Sequence, residues 1–434
     1  MSHLRKAWNL YHLMKSQWQP YEELSDLQNK KLRAIIRHAY ENVPFYRQKF
    51  NSAGVSPEDI KTVDDLLKLP ITTKQEVKEN FPDRIVAKDV DISKCWLPHT
   101  SGSTGMPLKV AYDEAAEDFQ KAVALRPNLS CGQKPWDKWA DITSPDRIHN
   151  KKWFQKLGIF NPIGISLFLE PKEQIAALEK IKPGIIDGYS SSIYLLAKAL
   201  QEKGSDKIHP KIVYGTAELL TNEMREYINS TFSVEMYDQF GCVELGRTAW
   251  ECPAHSGYHI DVEAVVMEFI RDGKQVLPGE RGEIIYTSLY NYAMPLIRYA
   301  IGDIGVPSDR VCPCGRGLPL IERVEGRADA FIQVPGGRIF SPIIWTILLR
   351  RFPEIARFRV TQEKIDKIRI QIEPKGTFSQ SIIEGVTKRV LDTLGGEVHI
   401  EIEPVDVIPR DNSGKVRSVV SKIEIDWSQA AGRE

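Results

Sequence analysis

The chain is predicted to be an α/β protein, with a large N-terminal domain of mixed sheets carrying a β-rich subdomain and a small α+β C-terminal domain. Three observations predict this. Strand-like and helix-like segments alternate through 170–241, as parallel strands joined by crossover helices require. The pattern turns β-rich from 258 to 305. The last part of the chain then has a strand pair, an amphipathic helix and a further strand of its own. The boundary is placed within Glu325–Asp329, giving domains of residues 1–326 and 327–434. Two domains suit a length of 434 residues.

The elements follow in order. Residues 22–53 set Leu27, Leu32, Ile35, Ile36 and Ala39 on one helical stripe, broken near Asn42-Val43-Pro44, where proline forbids continuation. Residues 60–98 hold short elements punctuated by Leu69-Pro70 and Phe81-Pro82, and 113–126 form a helix. EQIAALEKI, PGIIDGYS and SIYLLAKALQEKG then read as helix, strand and helix. KIVYG (211–215) is a strand leading into the helix NEMREYINSTF (222–232), and VEMYDQFG (234–241) is a strand that opens a polar loop. YHIDVEAVVMEFI, GEIIYTSL and PLIRYAIGDIGV make the β-rich stretch. FRVTQEKIDKIRIQIEP is the C-terminal strand pair, IIEGVTKRVLDTL its helix and EVHIEIEPVDVIP its last strand.

Composition narrows the function. Hydrophobic residues at 42% and charged residues at 27% describe an ordinary globular chain. Lys plus Arg and Asp plus Glu both number 58, so no bulk charge argues for nucleic acid or an anionic membrane. No apolar run approaches the roughly 20 residues of a membrane span. MSHLRKAWNLYHLMKSQWQ lacks a signal-peptide core, so the expected location is the cytoplasm. Composition leaves self-association as a homodimer open. Six cysteines are too few for a disulfide scaffold, and Cys95, Cys131 and Cys242 read as scattered small residues.

The chemistry is carried by several short segments. In 99–110 the hydroxyls of Thr100, Ser101, Ser103 and Thr104 alternate with Gly102 and Gly105, and glycine backbone with short hydroxyl donors suits phosphate oxygens. The spacing is not that of a Walker loop. Downstream come Gly215-Thr216-Ala217-Glu218, then Tyr237-Asp238-Gln239-Phe240-Gly241-Cys242-Val243-Glu244, then Arg298-Tyr299-Ala300-Ile301-Gly302-Asp303. Gly326-Arg327-Ala328-Asp329, Gly336-Gly337-Arg338 and Pro409-Arg410-Asp411-Asn412-Ser413-Gly414-Lys415 complete the set. Each piece alone is commonplace: Gly-Asp is usually a turn, and Ser-Gly-Lys a hairpin tip.

In this order they resemble the adenylate-forming superfamily of acyl-CoA synthetases. The chain is most similar to the phenylacetate–CoA ligase and CapK-like family, which includes a deazaflavin-cofactor adenylyltransferase. LRAIIRHAYENVPFYRQKF, YDQFGCVE, AWECPAHSGYHI, PLIRYAIGD and CPCGRGLPLIERVEGRADAFI carry the likeness from end to end. The resemblance implies an ATP-dependent ligase that forms an acyl-adenylate from a carboxylic acid, expected to be aryl or arylacetic, and passes the acyl group to coenzyme A. It also implies roles. Residues 100–105 would hold the triphosphate and Glu244 would bind Mg²⁺. Thr216, Ala217 and Glu218 would line adenine, with Tyr237 and Asp238 flanking it. Asp303 would accept the ribose hydroxyls, Arg327 would reach ribose or phosphate, and Lys415 would act at the α-phosphate from a mobile C-terminal domain hinged at Asp329. Gly336 and Gly337 would line the pantetheine channel. Trp136, Trp139, Tyr189 and Phe240 are assigned to the acyl pocket, with Arg147, His149 and Lys151 in the same neighbourhood leaving a basic or polar acid open.

Departures from the family pattern are Val243 before the metal-binding glutamate, Ala300-Ile301 before Gly-Asp, and Leu108 between the proline and Lys109. They touch triphosphate placement and the choice of acceptor. An adenylyltransferase that stops at AMP transfer is the alternative, and a non-catalytic nucleotide binder is disfavoured by Lys415 and Glu244. Separately, Cys252, Cys312 and Cys314 with His255 and His259 nearby make a Cys₃His set suited to structural zinc. His259, in a Gly-Tyr-His strand entry, is the favoured imidazole.

Overall fold

The computed structural model describes residues 2–99, 108–143, 145, 151–204, 206–327, 330–340, 342–349, 351–376, 378–395, 397–409, 417–423 and 425. The chain separates into two compact units, residues 1–301 with 305–323, and residues 302–304 with 324–434.

The first unit opens with helices α1 (Ser2–Ser16), α2 (Tyr21–Asn42), α3 (Pro44–Ser52), α4 (Lys74–Asn80) and α5 (Glu114–Ser130). Val43, extended at φ −115°, separates α2 from α3, and Pro44 takes the first position of α3, where its missing N–H costs nothing. Helix α1 was not foreseen. It is fixed by tertiary contacts, with Arg5 Nε donating to Asp118 at 2.7 Å and Ser16 donating to Glu263 at 2.6 Å. Helix α5 starts where Asp113 caps the N–H of Ala116 at 2.7 Å. It runs past Pro127, four residues beyond the expected end, because Arg126 and Asn128 are anchored in the interior. Arg126 there binds Glu263 at 2.7 Å and also Asp261.

The alternating part is β1 (Trp139–Thr143), α6 (Trp153–Lys156), β2 (Pro162–Ser166), α7 (Pro171–Ile181), β3 (Ile185–Tyr189), α8 (Ser190–Lys203), β4 (Ile212–Thr216), α9 (Asn222–Phe232) and β5 (Met236–Cys242). Helix α8 ends at Gly204, whose φ of +64° supplies the left-handed cap. Thr221 caps α9 by accepting from the N–H of Met224. The β-rich part is β6 (Gly246–Glu251), β7 (Tyr258–Ile260), β8 (Val265–Arg271), β9 (Lys274–Gln275), β10 (Gly282–Ser288), β11 (Tyr299–Ser308) and β12 (Leu320–Arg327).

All twelve strands form one sheet in the order β2-β1-β3-β4-β5-β6-β7-β12-β11-β10-β8-β9. Its first five strands are parallel, and β5 to β6 is the first antiparallel step. One face of the parallel portion is apolar. Ala140, Ile142, Ile186, Val213 and Met236 pack there against Ile175 and Leu178 of α7, Leu196 of α8 and Ile228 of α9.

The second unit adds β13 (Ile332–Gln333), β14 (Ile339–Phe340), α10 (Pro342–Leu349), β15 (Ile355–Lys364), β16 (Lys367–Pro374), α11 (Gln380–Leu394), β17 (His399–Pro404) and β18 (Val419–Ser421). Its four-stranded sheet runs β17-β16-β15-β18. Val386, Val390 and Leu394 of α11 and Trp345 of α10 pack on Val360, Ile368, Ile370 and Ile372, a core of its own. Among the described residues no helix is long and apolar enough to cross a membrane.

Candidate active site and metal centre

Open parallel sheets bind ligands beyond the carboxyl ends of their strands. Here β3, β4 and β5 end side by side, with Tyr189 in register with Thr216 and Thr216 with Gln239. The structure therefore brings Tyr189, Thr216, Ala217, Glu218 and Phe240 to one edge. Thr216 Oγ1 donates to the carbonyl of Gln239 at 3.1 Å, and Ala217 turns the chain at φ +68°. Glu218 accepts from the backbone N–H of Ser191 at 3.0 Å, tying this turn to the start of α8.

Beyond β5 the turn carries Glu244, only 5% exposed. Its backbone carbonyl accepts from Tyr112 Oη at 2.6 Å, and its Oε1 accepts from Tyr299 Oη at 3.0 Å. Lys74 Nζ stands 3.8 Å from the same oxygen. Tyr299 fixes this oxygen and Lys74 balances its charge, so a hard cation such as Mg²⁺ would take the place of the Lys74 ammonium. Neither Lys74 nor Tyr299 was singled out in the sequence, because only tertiary contact links them to Glu244.

Several assignments are corrected. Trp136 is 73% exposed and precedes β1, at the amino ends of the strands. Trp139 is the first residue of β1, beside Ile185, and packs with Ile212 and Tyr214. Both tryptophans lie at the opposite strand ends from Tyr189 and Phe240, so they are not lining residues of a carboxyl-edge pocket. Tyr237 and Asp238 are consecutive in a strand and face opposite sides, so they cannot flank one base together. Tyr237 stacks on His255 with ring centroids 5.1 Å apart and planes 6° from parallel. Asp238 accepts from Tyr258 Oη at 2.7 Å, and burial pushes its carboxyl up to about 7.

In the second unit Arg327 reaches Gly302. Its Nη2 is 3.4 Å from where a Cβ on that glycine would sit, at φ +81°, next to Asp303. Gly336 and Gly337 have φ of +82° and +81° in the turn joining β13 to β14, so backbone conformation alone requires glycine there. Thr100, Ser101, Gly102, Ser103, Thr104, Gly105, Asp329 and Lys415 lie outside the described residues, as do Arg147 and His149.

The cysteine cluster lies wholly in the first unit. One ligand atom each from Cys252, His259, Cys312 and Cys314 lies within 4.8 Å of the others. Cys252 and Cys312 sulfurs are 3.6 Å apart, and Cys314 Sγ is 3.3 Å from His259 Nε2. Zn–S bonds of about 2.3 Å would set two thiolates of a tetrahedron about 3.8 Å apart, so the spacing fits. His259 Nδ1 faces the carbonyl of Leu318 at 3.4 Å, leaving Nε2 for the cluster. Burial holds His259 down at about 4, so the ring is neutral as a ligand must be. Burial pushes Cys252 up to about 12, a cost that a bound dication removes. At Cys314 burial is outweighed by hydrogen bonds from the backbone and side chain of Arg316, and the thiol is lowered. His255 is not part of the cluster; its imidazole lies 3.4 Å from Glu235 and 3.7 Å from Glu251.

Comparison with known proteins agrees with this architecture. Residues 333–422 match the CapK C-terminal domain. A phenylacetate-coenzyme A ligase of Escherichia coli (strain K12) is 29% identical over 74% of both chains. Protein CapK of Staphylococcus aureus is 24% identical over 93% of this chain and 90% of its own. A crystal structure of 2-hydroxyisobutyryl-CoA ligase in the postadenylation state superposes with a TM-score of 0.75 at 20% identity, covering 95% of this chain and 92% of that one. With the domain match at one end and relatives aligned along most of its length, the chain is similar to phenylacetate-coenzyme A ligases and to protein CapK, and it has the fold of solved acyl-CoA ligases.

Proposed function

We propose that this protein is an ATP-dependent acid–CoA ligase whose substrate is an aryl or arylacetic acid, and that it works in the cytoplasm. The carrying observation is the row of Tyr189, Thr216 and Phe240 at adjacent strand ends, one turn from a sequestered Glu244, in a chain similar along its length to phenylacetate–CoA ligases. A carboxylate oxygen attacks the α-phosphorus of ATP, the bond to the β-phosphate bridging oxygen breaks, and pyrophosphate leaves. The sulfur of coenzyme A then attacks the acyl carbon and AMP departs with the carboxyl oxygen.

Thr216, Ala217 and Glu218 border the nucleotide, Asp303 takes the ribose hydroxyls and Arg327 approaches ribose or phosphate. Residues 100–105 hold the β and γ phosphates, and Lys415 meets charge building at the α-phosphate. Glu244 would hold Mg²⁺, which would supply positive charge against the triphosphate. Asp329 is the hinge on which residues 327–434 present Lys415 for one half-reaction and the Gly336-Gly337 turn for the other. Cys252, His259, Cys312 and Cys314 would hold zinc in a structural role, since four protein ligands leave no open position for substrate.

Pyrophosphate release, screened across aryl, short-chain and fatty acids with and without coenzyme A, tests the reading. Release followed by thioester supports it. Release with no thioester on adding coenzyme A supports AMP transfer to another acceptor instead, an outcome for which the CapK likeness supplies a motive. No release from any acid refutes it.

A further inference from the structure

The segment that enters α4 is pinned to the site from both sides. Thr72, fully buried, lies beside Tyr299 in a parallel bridge. Its N–H donates to the carbonyl of Arg298 at 2.7 Å, and its carbonyl accepts from the N–H of Ala300 at 2.9 Å. Its hydroxyl donates to the carbonyl of Ile297 at 2.8 Å. Lys49 Nζ donates at 2.8 Å both to the carbonyl of Ile71 and to Glu76, and Thr73 caps α4 by accepting from the N–H of Glu76 at 3.2 Å. The backbone around Lys74 is thus fixed to the start of β11, the strand that carries Tyr299. One ladder delivers both Tyr299 and Lys74 to the Glu244 carboxylate.

The two groups differ in kind. Tyr299 is fully buried and its hydroxyl donates to Glu244 Oε1 at 3.0 Å. The Lys74 side chain is 40% exposed, and its Nζ stands 3.8 Å from the same oxygen. That is beyond the roughly 2.7–3.2 Å of an N–H···O bond. Among the described residues the Lys74 ammonium makes this ion pair and no hydrogen bond, whereas Lys49 next to it donates two. An ammonium carries three donors on a flexible four-carbon stem. Lys74 is therefore kept at the site by charge, with donors still to offer.

Glu244 in turn lies against the root of the hydroxyl-rich segment. Trp96 pairs with Tyr112 and His99 with Lys109, so the two flanks of that segment run antiparallel, and Tyr112 Oη donates to the Glu244 carbonyl at 2.6 Å. A point charge with unspent donors beside glycines and hydroxyls suits phosphate oxygens. A dication and an ammonium also compete for one carboxylate, because like charges a few ångströms apart repel. The partner on the flexible stem is the one that can move.

Resting on the ligase reading above, we propose that Lys74 is a phosphate-binding residue whose place Glu244 reserves. While no nucleotide is present, the Glu244 carboxylate keeps the ammonium at the site. When ATP arrives with its cation, the ammonium leaves the carboxylate and donates to a non-bridging oxygen at the pyrophosphate end of the triphosphate. Lys74 exchanges one anion for another, and the buried charge of Glu244 is compensated throughout. The exchange disfavours a bare metal ion and favours the metal brought together with its triphosphate.

The test is binding to the full chain, read by calorimetry, in the parent and in Lys74→Met and Lys74→Gln, which remove the charge. Three ligands are titrated: Mn²⁺ alone as a stand-in for Mg²⁺, ATP with Mg²⁺, and AMP. Mn²⁺ binding is counted as the part that Glu244→Gln removes. The expected changes have opposite signs. The Lys74 variants should bind Mn²⁺ about threefold or more tightly, bind ATP with Mg²⁺ about tenfold or more weakly, and bind AMP as the parent does. Equal or tighter ATP binding overturns the assignment, because Lys74 would then only compete with the metal. Mn²⁺ binding that is unchanged or weaker overturns the reserved place. An equal loss for ATP and AMP, the signature of a damaged site, overturns it too. A parent that binds neither ATP nor AMP defeats the ligase reading and this assignment with it.

Discussion

At the scale of single residues, burial decides what each charged group can do. Glu244 is sequestered, held by Tyr299 and ion-paired with Lys74 at 3.8 Å, so its oxygen is oriented. Glu244→Gln keeps the shape and removes the charge, and pyrophosphate release should drop by about 10²–10³; a drop of under tenfold would remove Glu244 from the chemistry. Asp238 obeys a different logic. Its folded value of about 7 lies above the ordinary 3.8, so the folded state holds a proton that the unfolded state gives up between those values. Stability is therefore undiminished by this group below about pH 4, declines as pH rises toward 7, and carries the full penalty above 7. Asp238→Asn removes the titration. Thermal unfolding should show the variant gaining several degrees over the parent at pH 8 and much less at pH 5, and an equal gain at both would show the effect is not electrostatic.

At the scale of elements, the parallel strands and the cysteine loops are where distant residues meet. The strand segments were legible because PGIIDGYS, KIVYG and VEMYDQFG are short apolar runs bounded by turn residues. Register was not legible, and register alone sets Tyr189 beside Thr216 and leaves Trp139 at the far end. The choice of His259 follows from strand geometry. It pairs with Leu320 across β7 and β12, which carries the ring to the Cys312-Pro313-Cys314 loop. Metal analysis should find about one zinc per chain, lost in Cys312→Ser, and chelation should lower the unfolding temperature. Purified protein free of zinc and indifferent to chelators would leave the cluster as three plain thiols and a histidine.

On the scale of the whole molecule, the second unit has its own sheet and its own apolar core, as a body that moves separately needs. In the proposed reading Lys415 acts in adenylation only. Lys415→Ala should abolish pyrophosphate release from acid and ATP while pre-formed acyl-adenylate is still converted to thioester on adding coenzyme A. Equal loss of both half-reactions would contradict a division of labour. Asp329→Pro, which restricts φ at the proposed hinge, should slow thioester formation more than adenylation.

The sequence by itself determined the α/β class, the order of its elements, the family likeness and the residue types of a Cys₃His cluster. These depend on periodicity, turn chemistry and short motifs, which are local. Only the tertiary structure decided which aromatics lie at the ligand end of the strands, which histidine joins the thiols, that Tyr237 and Asp238 point apart, and that Lys74 and Tyr299 both reach Glu244. Those outcomes depend on which strand lies beside which and in what register. Local sequence does not encode them, because the partners of each side chain come from segments tens of residues away.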